Sequence, residues 1–213
     1  MMRAHAAVAL AACVFVSTAE AQETRWDAAG HVTWLGEHRP ADQVFEWGRW
    51  LGVASGGGSV GYYWTPHFKT ELDLSASSEG EDYSFEAIAL PGQTTPLFVQ
   101  RDHETRFTTA SAGVTGQFFE NVWFHPFVSA GIELLREREH IETLPPPVPP
   151  RGVAVTPAPE TDTRVRYSGR PYFASGFKVY LSDHAFFRMD VRTSWSTDGL
   201  AALGWRSGVG VDF

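Results

Sequence analysis

Cysteine is almost missing from this chain of 213 residues: there is one, Cys13, and it falls in the N-terminal segment described next. Without further thiols a disulfide scaffold, a thiolate nucleophile and a Cys-based zinc site are excluded. Basic charge is also scarce. Lys and Arg number 17 against 25 Asp and Glu, for a formal net charge of −8, and no basic cluster occurs. Phosphate-backbone binding needs clustered cations, so a nucleic-acid partner is excluded. Beyond residue 21 no apolar run approaches the roughly 18 residues of a membrane-spanning helix.

The first 21 residues read as a secretory signal peptide. Arg3 precedes an apolar run from Ala6 to Val16, and Ala19-Glu20-Ala21 places small residues at −3 and −1 of a cleavage site. The mature domain then covers 22–213, still at −8 because Arg3 and Glu20 leave together. Leu10-Ala11-Ala12-Cys13 is also similar to a lipobox, but the apolar run continues through Val14-Phe15-Val16 and leaves Cys13 inside it.

Aromatics make up 14% of the chain, too many for disorder, and they stand beside many Gly and Thr, which favours sheet. Period-two alternation is the main signal. Phe187, Met189, Val191, Thr193 and Trp195 alternate with Arg188, Asp190, Arg192 and Ser194, while Phe68, Thr70, Leu72 and Leu74 alternate with Lys69, Glu71 and Asp73. The same rule predicts eight strands, near Trp26–His38, Trp47–Trp64, Phe68–Leu90, Leu97–Phe119, Val122–Arg138, Val165–Leu181, Ala185–Ser196 and Leu203–Phe213. Tight turns at Thr65-Pro66-His67, Glu120-Asn121 and Ser182-Asp183-His184 alternate with looser connections at 39–46, 91–96, 139–164 and 197–202. Eight antiparallel strands with short turns at one end and long loops at the other describe an up-and-down transmembrane β-barrel.

Alternation alone does not say which face is inside, since a soluble barrel buries its apolar side. Aromatic placement favours the membrane version. Trp26, Tyr62, Trp64, Phe68, Phe118, Trp123, Phe124, Tyr180 and Phe187 collect at the short-turn end, and Trp195 falls with Trp34, Trp47, Trp50 and Trp205 at the other. Two such girdles suit the two bilayer interfaces. The polar face then fills the lumen with Lys69, Glu71, Asp73, Glu133, Lys178, Arg188, Asp190, Arg192, Arg206 and Asp212, five cations against five anions. An eight-stranded barrel is about wide enough for its own side chains, so these charges are expected to pair into a plug.

The chain ends in Val209-Gly210-Val211-Asp212-Phe213, and Pro126-Phe127-Val128-Ser129-Ala130-Gly131 follows the second tight turn. In these segments and across Trp26–Phe213 the sequence resembles the small outer-membrane β-barrel family, which includes the OmpA-like, OmpX-like and OmpW-like barrels. The resemblance implies a Gram-negative outer-membrane location and contact with outer-membrane lipids and lipopolysaccharide. It also implies an assembly signal for the barrel-assembly machinery at Trp205, Val209, Val211 and Phe213. The length leaves no room for the peptidoglycan-binding domain that some members carry after the barrel.

No catalytic, metal or cofactor set stands out in the linear sequence. The histidines His31, His38, His67, His103, His125, His140 and His184 are scattered, no His-x-Ser pair similar to the lipid A deacylase motif occurs, and His140-x-Glu142 lacks further ligands. The segment from Glu139 to Arg164 holds Pro145-Pro146-Pro147-Val148-Pro149-Pro150 and favours an extended polyproline II stretch, a place where an extracellular protein could dock. The expectation is a monomeric, non-enzymatic barrel with a structural or surface-interaction role. A narrow channel for small or hydrophobic solutes, as in OmpW-like proteins, is the alternative. An enzyme ranks third and requires a Ser, a His and a carboxylate to converge at the outer rim.

Overall fold

The computed structural model describes residues 25–39, 49–88, 97–118, 123–143 and 160–213; the expected leader and the run of prolines fall outside them. Within these residues the chain forms β1 (Trp26–Arg39), β2 (Arg49–Thr65), β3 (Phe68–Ser77), β4 (Gly80–Ile88), β5 (Leu97–Gln117), β6 (Phe124–Thr143), β7 (Glu160–Tyr180), β8 (Ala185–Ser196) and β9 (Gly199–Asp212). The hydrogen-bonded order is β3-β2-β1-β9-β8-β7-β6-β5-β4, and an added β3–β5 pairing closes the ring. Neighbours are antiparallel throughout, so each backbone ladder is satisfied by the strands beside it and the barrel has no edge within the membrane. β3 and β4 both pair with β5 and act as two lengths of one stave, which gives eight staves in an all-β antiparallel barrel.

That broken stave departs from the single strand expected over Phe68–Leu90. Pairing with β5 ends at Ala76↔Thr108 and resumes at Gly80↔Thr105, so Ser77, Ser78 and Glu79 face only Arg106 and Phe107. One extra residue on one strand is a β-bulge. Its backbone is provided for: Ser77 Oγ accepts the Phe107 N–H at 2.8 Å and the Ser78 N–H donates to the Ala54 carbonyl at 2.7 Å. Gly80 permits the close approach that follows, because a Cβ there would lie 2.5 Å from Val53 Cγ1. The extra residue also reverses the phase of the stave. Odd positions of β3 point inward, whereas in β4 it is Asp82, Ser84 and Glu86 that share the inner face with His103, Arg101 and Val99.

Two outer connections also differ from expectation. β6 continues to Thr143 and β7 starts at Glu160, so both ends of the segment expected as a loop over Glu139–Arg164 are strand. The connection expected to be loose over Thr197–Ala202 is a tight hairpin in which Ser196 pairs with Gly199. Gly199 has φ of 113°, a left-handed conformation that favours glycine and lets so short a turn close.

The outer rim is consequently uneven. β5, β6 and β7 have 21, 20 and 21 residues, against 12 in β8 and 14 in β9. β7 meets β8 only from Tyr172↔Ser194 onward. From Glu160 to Pro171 it is paired with β6 on one side and has no strand partner on the other among the described residues. Near the outer mouth the lumen is apolar, where Leu51, Val53, Phe107 and Leu135 pack with Leu35.

Candidate functional site

Burial runs opposite to that of a water-soluble domain. In β3, Leu72 and Leu74 are 65% and 66% exposed, whereas Lys69, Glu71 and Asp73 between and beside them are 3%, 6% and 5% exposed. Val32, Val60, Ile132, Leu134, Val191, Leu203 and Val209 continue the exposed aliphatic belt around the barrel. Such a surface is stable against lipid and costly against water.

Inside, the ten lumen residues expected from sequence occupy the inner face: nine are buried and Arg192 is half-buried. They form tiers. At the short-turn end Lys69 Nζ lies 2.6 Å from Asp27 Oδ2, Lys178 Nζ lies 2.7 Å from Asp212 Oδ1, and the Tyr63 hydroxyl donates to Asp27 at 3.0 Å. The middle tier joins Arg188 to Glu71 at 2.6 Å and to Asp190 at 3.1 Å, and Arg206 to Asp73 at 2.9 Å and Asp190 at 3.0 Å. Lys69, 2.7 Å from Glu71, ties these two tiers together. Toward the outer mouth Glu133 takes Arg170 at 2.9 Å and Arg192 at 2.8 Å, and Arg170 forks onto Glu37 at 2.5 and 3.0 Å. The Arg192 guanidinium stacks 3.6 Å above the Tyr172 ring. Removing one member of such a network leaves a charge without its counterion in a dry interior.

Several members escaped the sequence reading. Asp27, His31, Glu37 and Arg39 share the inner face of β1, and Arg170 lies in step with Lys178 on β7. The period-two signal was present but weak, because the outward neighbours Ala28, Gly30 and Gly36 offer little apolar contrast and Ala174 and Gly176 interrupt the polar phase of β7. His31, expected at a solvated or interfacial site, instead sits in the lumen with Nε2 2.7 Å from Asp73. His140 Nδ1 lies 3.1 Å from Thr163 Oγ1, and among the described residues no group of three His, Cys, Asp or Glu is placed to hold a metal.

The aromatic positions divide. Trp26, Trp64, Phe68, Phe118 and Trp123 are exposed at the short-turn end, with Tyr62 held edge-on between Trp26 and Trp64 at centroid distances of 4.9 Å; Phe124 and Phe187 lie half-buried on the same outer face. At the other end Trp34, Trp50, Trp195 and Trp205 are exposed. From Trp26 to Trp34 along β1 is about 27 Å, or roughly 20 Å along the barrel axis at the usual tilt, near the height of an outer-membrane apolar band. Tyr180 departs from the expected girdle. The phase of β7 that buries Lys178 also turns Tyr180 inward, where its hydroxyl donates to the Asp212 carboxylate. At the C-terminus Trp205, Val209, Val211 and Phe213 are exposed on the outer face, and Phe213 exchanges two backbone hydrogen bonds with Trp26, at 2.8 and 2.9 Å.

A model of the outer membrane protein β-barrel domain matches residues 6–213. The chain belongs to this family. Comparison with curated proteins returns no match. Among solved structures this outer-membrane barrel is similar to Neisserial surface protein A, with 10% identity and a TM-score of 0.53 over 88% of this chain and 97% of that one. It is also similar to Ail, the attachment invasion locus protein of Yersinia pestis, with 10% identity, a TM-score of 0.49, and coverage of 89% and 99%. The N-terminal β-barrel domain of Pseudomonas aeruginosa OprF gives 13% identity, a TM-score of 0.46, and coverage of 87% and 97%.

Proposed function

We propose that this outer-membrane barrel is a monomer with a closed lumen, whose main role is structural or surface-interacting. The carrying observation is the stack of ion-paired tiers that fills the lumen from Asp27 to Glu37. The lumen around His31, Asp73, Arg192 and Arg206 holds a cavity of about 40 Å³, and a second near Lys69, Lys178 and Arg188 measures about 10 Å³. Spaces of that size admit a few waters or one. Outside, the aliphatic belt contacts outer-membrane lipid, lipopolysaccharide meets the outer rim, and the tall wall of β4–β7 offers a surface beyond the membrane to an extracellular partner. The C-terminal strand is read as the signal for the assembly machinery, so deleting Phe213 lowers the amount of folded, inserted protein; normal levels remove that assignment.

The test is single-channel recording of refolded protein in a planar bilayer, with insertion verified by protease protection. Silence from inserted barrels is the expected result. Reproducible discrete steps overturn the closed-lumen reading and favour the narrow channel.

A further inference from the structure

On the inner face of the tall wall three side chains from three adjacent strands meet. Ser84 Oγ of β4 lies 2.8 Å from His103 Nε2 of β5, and His103 Nδ1 lies 3.0 Å from Glu139 Oε1 of β6. The ladder dictates this contact. Ser84 pairs with Arg101, two residues from His103, and Glu139 pairs with Thr105, two residues on the other side, so the three line a diagonal across the sheet. A carboxylate only accepts hydrogen bonds, which fixes the His103 proton on Nδ1 and leaves Nε2 to accept from the Ser84 hydroxyl. The hydrogen bond with His103 is the largest influence on Glu139 and, against the opposing effect of burial, holds its carboxyl below the usual range. Its other oxygen lies 3.8 Å from the Arg166 guanidinium.

We propose that Ser84, His103 and Glu139 form a serine-hydrolase site at the extracellular mouth, acting on water-soluble carboxylic esters. His103 Nε2 takes the Ser84 proton as Oγ bonds to the ester carbonyl carbon. The resulting tetrahedral adduct collapses as the carbon–alkoxy bond breaks, and His103 returns the proton to the departing alkoxide. Water then attacks the acyl-serine with His103 again accepting a proton, releasing the acid and restoring Ser84. Glu139 is a positioning residue that holds the imidazole. Arg101, directly opposite Ser84, pairs through Nη2 with Glu86 and sets a cation on the inner face beside the site. The substrate class follows from placement. The site faces away from lipid, and Glu139 is five residues beyond Leu134, the last exposed aliphatic on β6, which is about 17 Å along the strand. A dissolved ester reaches it from the lumen side of the wall. This activity is additional to the closed-barrel role.

The experiment treats the refolded, full barrel in detergent with a fluorophosphonate, maps the modified residue by mass spectrometry, and follows p-nitrophenyl acetate hydrolysis. Folding of every sample is checked by heat-modifiable gel migration. The expected result is labelling at Ser84, abolished in Ser84→Ala, with hydrolysis by His103→Gln reduced about 10³-fold or more. Glu139→Gln lowers kcat with little change in KM, and Glu139→Asp recovers part of the loss. Folded wild-type protein that leaves Ser84 unlabelled, or that hydrolyses the ester no faster than folded Ser84→Ala, overturns the proposal.

Discussion

Within the membrane band and above it, the same strands β5 and β6 follow different rules. Below the rim β6 sends Ile132 and Leu134 outward and Glu133 inward, so one face meets lipid and the other a packed network of charges. Above Leu134 the outward positions become Arg136 and Arg138, while the inward ones include Glu139 and Ile141. Lipid no longer dictates the outer face there, and polar side chains are free to appear on both. Ion pairs change character with height as well. Glu71 and Arg188 are 6% and 7% exposed, whereas Glu79 and Arg106 at the bulge are 48% and 59% exposed. The comparison teaches that in this barrel a charge is worth what its surroundings exclude: desolvated pairs hold the lumen, and wet pairs merely decorate the wall.

The largest expected effect that sharpens this contrast comes from Glu71→Ala. It removes the shared counterion of Arg188 and Lys69, and the unfolding free energy in lipid vesicles should fall by about 3 to 5 kcal/mol, read from urea titration. A loss no larger than that of a surface pair would erase the distinction. Next, Met189→Arg on the lipid side of β8 should cost about 2 to 4 kcal/mol in the same assay. An unchanged value would mean that this face does not meet the bilayer interior. Deleting Ser78 removes the bulge and joins Ala76↔Thr108 and Gly80↔Thr105 into one continuous register, so Ser84 stays opposite Arg101 on the inner face; a cost of about 1 to 3 kcal/mol is expected, with fluorophosphonate labelling retained. Loss of that labelling would mean that the bulge itself, and not the register of β4 on β5, sets Ser84 against His103. The smallest effect belongs to Glu79→Ala, where breaking a half-exposed pair with Arg106 should change stability by less than about 1 kcal/mol.

How much of this was legible follows the same boundary. In the membrane band, alternation of Leu72 and Leu74 with Glu71 and Asp73 is strong, because two immiscible environments act on alternate residues, and the lumen residues could be named from it. The outer wall lacks that contrast. Extending the phase of β3 past Ser77 would have turned Ser84 outward, away from His103. Only the extra residue at the bulge reverses it, and a one-residue register change is invisible to periodicity when both faces are polar. Cross-strand contacts such as Glu37 with Arg170, separated by 133 positions, depend on ring closure and cannot be read from spacing.

The unaccompanied length of β7 carries a consequence of its own. In an antiparallel ladder successive residues aim their amide N–H alternately at one neighbour and then the other. Along Glu160–Pro171 only β6 is there to receive them among the described residues, so every second amide lacks a strand partner there. In deuterated solvent this ribbon should therefore exchange as a comb, with fast and slow teeth in strict alternation, whereas below Tyr172 the two-sided ladder should slow both sets alike. The isotope pattern would mark, residue by residue, the height at which the wall stops being part of a closed ring.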